Sequence, residues 1–375
     1  MRKRIPCTIN VSLCLIITIL LATALLTGMN TGKGEAAIPT HGQLILEFES
    51  QHAVIDSDSS ARAMLSFVRD FKMDSRGNFY LLDLKHPGIL LFDGKGSFLR
   101  QHGKMGKGPG DYMRPARLYI DNRDHIFVYD QGNYNVTGLD PDFKIRLFTR
   151  ISSPISSNIF VSTNGDIYAF VRDLDQTGPV RRLVVFNEKG ERLKTIAGFQ
   201  DSGFLVKRGK GGGAVMGGMI HEYTPDAYLY PLDKDSFVYG YNLEDKFYLY
   251  NTKEQKSRVF PLAVKKSPIT GDEKDYFEKK CGKWAMLPVH RPFFKNLLTD
   301  DKGRIYVFLV NPVLSEEKSL NIDIFTQKGE YIYRVTSPVI PLSIKDGCLY
   351  VLDKDESDNP IIKRFRIKNY ASVKC

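Results

Sequence analysis

One phrase recurs six times along this chain, a polar turn followed by a strand of alternating aromatic residues. It reads DSRGNFYLLD at 74–83, DNRDHIFVYD at 121–130 and STNGDIYAFV at 162–171. It returns as DKDSFVYGYN at 233–242, DDKGRIYVFL at 300–309 and KDGCLYVLD at 345–353. A second phrase follows each copy, as in ILLFDGKGSFLRQ at 89–101 and RLVVFNEKGERLKTI at 182–196, and is degenerate only in the sixth, IIKRFRIK at 361–368. Apolar and polar residues alternate on both sides of a short Asp/Asn/Gly turn, so each phrase belongs to a β-hairpin. Two hairpins make a four-stranded antiparallel unit that cannot bury both of its faces alone. Stacking several such units around an axis covers those faces, which is the logic of a β-propeller.

The copies are 47, 41, 71, 67 and 45 residues apart. The base period is therefore one blade, and the two long steps imply insertions of about 25–30 residues each. These fall at about 197–224 and 262–292. The expected fold is all-β: a six-bladed β-propeller over 38–375, closed by an N-terminal strand, with two loop or helix insertions on one face. The strand-like run QLILEF at 43–48 is the expected closing strand, because closure removes sheet edges that would otherwise pair with other molecules. No Pro- or Ser-rich linker divides the series into two domains.

Composition agrees with one large folded body. The chain is 42% hydrophobic and 26% charged, too apolar for disorder, and five cysteines in 375 residues exclude a disulfide-dense scaffold. The one long apolar stretch excludes a multi-span membrane protein. It is VSLCLIITILLATALL at 11–26, uncharged, behind the basic Met1-Arg2-Lys3-Arg4. Residues 1–37 thus read as a secretory signal peptide or an N-terminal membrane anchor through residues 11–26, with the rest of the chain extracytoplasmic, periplasmic or at the outer surface.

Connectivity sorts the loops. In a four-stranded meander the first-to-second and third-to-fourth turns share one face. The second-to-third loops and the links between blades share the other. The first set is short everywhere here, whereas 102–114, 172–179, 197–224, 262–292 and 311–319 all belong to the second. Loops on a rigid scaffold are where binding residues gather. The same face holds much of the positive charge, including Lys104, Lys107, Arg114, Lys207, Arg208, Lys210, Lys265, Lys266 and Arg291, partly offset by acids at 272–278. An anionic ligand steered to this face is one reading; ordinary solvated lysines are the other. Nucleic acid is excluded by the modest excess charge, the compartment and the lack of a recognition motif.

The sharpest local feature is HGKMGKGPGD at 102–111. Gly106, Gly108 and Gly110 allow positive φ, Pro109 fixes its own, and successive amides in such a loop can form an anion nest around Lys107. It also serves simply as a tight link between two blades. The glycine-rich KRGKGGGAVMGGM at 207–219 reads as an anion grip using Lys207, Arg208 and Lys210, or as a plain insertion. DEKDYFEKKCGK at 272–283 reads as a short helix, acid-first and base-last in keeping with its dipole. Trp284 follows it, as a sugar or partner platform or as a seal against a blade, and His290 lies just beyond. At the mouth of the central tunnel the inner strands bring Arg69, Asp70, Arg117, Asn158, Asp226 and Asn296. A ring of Asp and Asn oxygens there suits Ca²⁺, but two carboxylates beside two arginines argue against a metal. No Ser/His/Asp order and no HExxH motif stands out.

The phrases at 74–130 resemble the NHL-type repeat. More closely, they are similar to a secreted bacterial six-bladed β-propeller family whose first blade ends in Gly-x-Gly-Pro-Gly-Glu-Tyr, here Gly106 to Tyr112 with Asp111 for Glu. The resemblance covers 42–150 and is architectural beyond. It implies a six-bladed propeller outside the cytoplasm and supplies no activity. Related six-bladed lactonases and lyases bind a central metal, and their acidic tunnel pattern is not evident here. The expectation is a non-catalytic binding propeller without a cofactor. It would hold a protein partner or an anionic small molecule or glycan through Gly106, Lys107, Gly108, Gly110, Tyr112, Arg114, Lys207, Arg208, Lys210, Trp284 and His290. The alternative is a metal-dependent hydrolase or lyase acting at the tunnel mouth.

Overall fold

The computed structural model describes residues 52–56, 58, 65–175, 178–201, 205–208, 214–217, 219–282, 285–317, 319–368 and 370. The chain divides into Met1–Ile38 and Pro39–Cys375. The leader and the run at 43–48 lie outside the described residues.

Six four-stranded antiparallel sheets follow one another. Blade 1 runs from Val68–Met73 to Phe98–His102, blade 2 from Pro115–Ile120 to Ile145–Arg150, and blade 3 from Ile155–Val161 to Arg192–Gln200. Blade 4 runs from Ala227–Pro231 to Lys256–Pro261 and blade 5 from Phe294–Thr299 to Tyr331–Ser337. Blade 6 takes three strands from the end of the chain, Ser343–Lys345, Cys348–Lys354 and Pro360–Arg366. Its outer strand comes from the other end, so an N-terminal strand closes the ring as expected. That strand is His52–Ile55, with His52 opposite Arg364 and Ile55 opposite Ile362.

The Asp at the head of four of the six phrases makes the turn. Asp74 Oδ1 accepts hydrogen bonds from the amides of Arg76 (2.9 Å) and Asn78 (2.8 Å), and Asp121 does the same for Arg123 and His125 (both 2.8 Å). This short side chain holds the reversal while the third residue after it turns left-handed, as Gly77 and Asp124 do with φ of 84° and 60°. The Asp or Asn that ends the phrase has a second task. Asp83, fully buried, accepts from the amides of Ser66 and Phe67 (2.9 Å each), and Asp130 from those of Met113 (2.6 Å) and Arg114 (2.8 Å). Asn242 Oδ1 accepts from Asp226 N at 2.9 Å. Each thereby ties the incoming link to the blade it enters.

The core lies between the blades. Tyr80, Leu82 and Tyr112 pack with Leu118 and Val128 across blades 1 and 2. Phe79 meets Tyr350 edge-on at 5.6 Å across blades 1 and 6. A hydrogen bond crosses every junction as well. Leu118 N donates to Asp70 Oδ2 (2.9 Å), Arg117 Nε to Ser157 O (3.1 Å), Arg181 Nη2 to Pro225 O (2.8 Å) and Tyr228 OH to Lys295 O (2.7 Å). Asp346 N donates to Asp301 Oδ1 (3.1 Å), and the Lys345 amine to Asp74 O. Cys281 and Cys348 are both buried and free.

Both insertions sit in links between blades, so connectivity sends both to the long-loop face. The link from blade 3 to blade 4 carries a hairpin, Leu205–Arg208 with Ala214–Gly217. The link from blade 4 to blade 5 carries the helix Gly271–Cys281, capped by Thr270, whose hydroxyl takes the Glu273 amide while the Glu273 carboxylate takes the Thr270 amide.

Closure is testable at one atom pair. A Cβ on Gly96, in the outer turn of blade 1 with φ 85°, would stand 1.7 Å from the carbonyl oxygen of Val54 in the closing strand. One on Gly94 meets nothing nearer than 3.4 Å. Gly96→Ala should lower unfolding stability by about 2 kcal/mol or more, and Gly94→Ala by well under 1 kcal/mol, in urea titrations.

Candidate functional site

Two connected cavities occupy the long-loop face over the channel. The first, about 180 Å³, is lined by Arg69, Asp70, Lys72, Arg117, Asn158 and Asp226, with tyrosines 228 and 230 behind them. The second, about 530 Å³, shares Asp226 and Tyr228 and reaches outward past Tyr223, Tyr276, Lys295 and Val313.

The acids of the first cavity are already engaged. Asp70 takes Lys72 Nζ at 2.8 Å and the Leu118 amide. Asp226, its side chain 43% exposed, takes Arg181 Nη1 at 2.5 Å. Arg181 is itself wholly buried and is also held by buried Asp201 at 2.8 Å, which Arg172 approaches at 3.2 Å. A buried guanidinium with two carboxylates and a carbonyl is fully satisfied and rigid.

The cations are not matched in the same way. Arg117 donates only to carbonyls, those of Ser157 and Ala116. Arg69 makes no ion pair or hydrogen bond among the described residues. Burial and then repulsion from Arg117 lower its pKa, with Asp70 opposing and Arg114 adding to the repulsion. The ammonium of Lys295, half-buried on the inner strand of blade 5, also has no partner among the described residues. Burial lowers its pKa, and Glu222 offsets part of that shift. Glu222 is meanwhile held by Lys280 at 2.5 Å.

The second cavity exists because the two insertions pack on each other. Tyr223 from the first packs its ring at a tilt against Phe277 of the helix (5.0 Å), and its hydroxyl donates to Glu273 Oε1 at 2.5 Å. Arg291 clasps Glu273 with Nη2 at 2.8 Å, and the Val313 amide donates to Tyr223 OH at 2.8 Å. Burial alone would raise the Glu273 carboxyl, but the hydrogen bonds from Arg291, Tyr223 and Thr270 outweigh it and hold the pKa at about 2.

The sequence-expected residues divide on this geometry. Arg69, Asp70, Arg117, Asn158 and Asp226 share one cavity. Asn296 does not line it; it is 9% exposed and spends its oxygen on the Leu297 amide. Asp226 is committed to Arg181, and no group of three or more His, Cys, Asp or Glu comes together as a metal site among the described residues. Tyr112 is fully buried between blades 1 and 2, and so packs rather than meets a ligand. The loop at 106–112 is not an open nest. The amides of Gly106, Asp111 and Tyr112 donate within it, to Tyr112 O, Gly108 O and Lys104 O. Gly110 has φ 80°. His290 is buried, its Nδ1 2.7 Å from Arg291 O and its ring edge-on to Phe293. Arg114 is exposed, beside Arg69 electrostatically. Lys207 and Arg208 ride the hairpin of the first insertion. Lys210 and Trp284 lie outside the described residues. Lys295, Arg181 and the clasp on Glu273 were missed by the sequence reading. Their partners are remote in the chain, and no local motif marks them.

Sheet count, blade closure and loop placement define a six-bladed β-propeller with one elaborated face. Residues 65–198 match a protein-family model described as 6-bladed beta-propeller. No curated protein matches the chain. Among solved structures, it is similar to a protein from Bacteroides fragilis described as exported, at 15% identity and TM-score 0.56, covering 86% of this chain and 96% of that one. It is also similar to a member of the duf4221 family from Bacteroides vulgatus, at 12% identity and TM-score 0.51, covering 87% and 99%. These likenesses concern the fold. Virginiamycin B lyase from Staphylococcus aureus stands further off, at 10% identity and TM-score 0.40 over 86% and 89% of the two chains.

The Glu273 clasp carries a pH prediction. Its folded pKa of about 2 lies below the ordinary 4.5, so its stabilisation is full above pH 4.5 and is lost as pH falls toward 2. Hydrogen exchange in the helix Gly271–Cys281 should accelerate between pH 5 and pH 3 relative to the blade strands. Glu273→Gln should show fast exchange there already at pH 6.

Proposed function

We propose that this protein is an extracytoplasmic, non-catalytic binding propeller that holds an anionic ligand at the long-loop mouth of its channel. One observation carries the reading: Arg69 and Arg117 face a cavity whose two carboxylates are already taken by Lys72 and Arg181. Cations that line a cleft without a carboxylate of their own leave a positive potential there, and such clefts draw and orient anions. Lys295 adds a third unmatched cation in the connected cavity. Asn158 and Ser156 supply neutral hydrogen-bonding groups beside them. By connectivity, the hairpin bearing Lys207 and Arg208 belongs to the same face. The basic leader with its apolar run supports placement outside the cytoplasm, in line with the exported description of the similar Bacteroides fragilis protein.

The test is calorimetry of the purified protein against small carboxylates and inorganic sulfate at fixed ionic strength. At least one anion should bind. The Arg69→Gln/Arg117→Gln double variant should weaken it at least tenfold with an unchanged melting temperature. Full affinity in that variant, or no binding by any anion, would overturn the reading.

A further inference from the structure

A separate cavity of about 370 Å³ lies at the rim of blade 2 and has no acid in its lining. Its frame is rigid. Asn135 opens the third strand of the blade and pairs in register with Arg150, the last residue of the fourth. Asn133 Nδ2 donates to Gly106 O and to Asp130 Oδ2, both at 2.9 Å, which fastens the glycine loop to the blade and sets Lys107 at the cavity edge.

The lining makes three demands on an occupant. The side chains of Lys107 and Arg150 line the cavity with no ion pair or hydrogen bond among the described residues, and both can only donate. They call for an anion. Asn135 is 3% exposed, lines the cavity, and has a carboxamide oxygen without a partner. An unpaired buried amide oxygen calls for a hydroxyl or N–H donor brought into the cavity. Tyr134 and Phe148 leave 44% and 41% of their surface exposed there, and Tyr134 is held in the left-handed region at φ 52°. A tyrosine kept in that sparsely populated backbone state and left open to solvent calls for an apolar face to cover its ring.

An anionic group, a hydroxyl donor and an apolar ring face occur together in a carboxylated sugar. We propose that this rim cavity binds a hexuronic acid unit of an acidic glycan. Lys107 and Arg150 hold the carboxylate, the Asn135 amide meets a ring hydroxyl, and the sugar's C–H face lies on Tyr134 or Phe148. The cavity is distinct from the channel mouth and shares no lining residue with it.

The experiment titrates the purified protein with trigalacturonate and with its methyl ester. Trigalacturonate should bind, and esterification should weaken it at least tenfold. Arg150→Gln and Tyr134→Gly should each weaken it at least tenfold. Tyr134→Gly removes the ring where glycine suits the backbone, so it should fold at least as stably as the parent. Arg69→Gln/Arg117→Gln should leave this binding within twofold. No binding, equal binding of the ester, or full affinity in both rim variants would overturn the proposal. Loss in the channel variant with both rim variants intact would also overturn it, while leaving the channel-mouth reading standing.

Discussion

Everything in this molecule depends on four residues, His52–Ile55, pairing with Pro360–Arg366. Sheets that stack only on neighbours leave two open ends, and here the two ends are given to one another. The last blade is completed by the beginning of the body, so the blade 6 to blade 1 junction cannot part without breaking a ladder. The junction then buries Phe71, Phe79, Tyr350 and Ile362 in one cluster. The fit is tight enough that the outer turn of blade 1 touches the closing strand through a residue without a side chain.

A closed ring fixes the inner strands, and fixed inner strands allow polar groups to be spent economically. Each junction carries a hydrogen bond, and several of the groups that make them belong to the mouth of the channel. Asp70 and Arg181 bridge blades and at the same time neutralise charges that would otherwise face the channel-mouth cavity. Among the described residues three lining cations have no carboxylate of their own: Arg69, Arg117 and Lys295, from blades 1, 2 and 5. The insertions add a wall. Their contact rests on the Tyr223–Glu273–Arg291 clasp, in which charge-assisted hydrogen bonds outweigh the cost of burying a carboxylate.

The architecture was legible in the sequence because its signals are local and repeated. The Asp74 and Asp121 side chains make turns by accepting from amides two and four residues on, and the strands behind them alternate with period two, so the repeat is written in local sequence. The helix Gly271–Cys281 announced itself by its charge order. Closure by an N-terminal strand was legible in kind. The strand HAVI is chosen by the edge it meets at the far end of the chain and carries little alternation of its own. The site was legible in part. Arg69, Arg117 and Asp226 follow from where inner strands enter the channel. Tyr112 and His290 looked like site residues because they sit in long loops, yet burial assigns them to packing. Arg181 gives no signal in RRLVVF, because its carboxylates come from residues 201 and 226.

The direction of the closing strand has a consequence for orientation. Ile55 leads into the link toward blade 1, on the elaborated side, so the chain enters the ring at His52 from the opposite, plain side. The two ends of the ring therefore differ in what they carry: His52 opens the closing strand at the end of the short turns, while both insertions leave from the end of the blade-to-blade links.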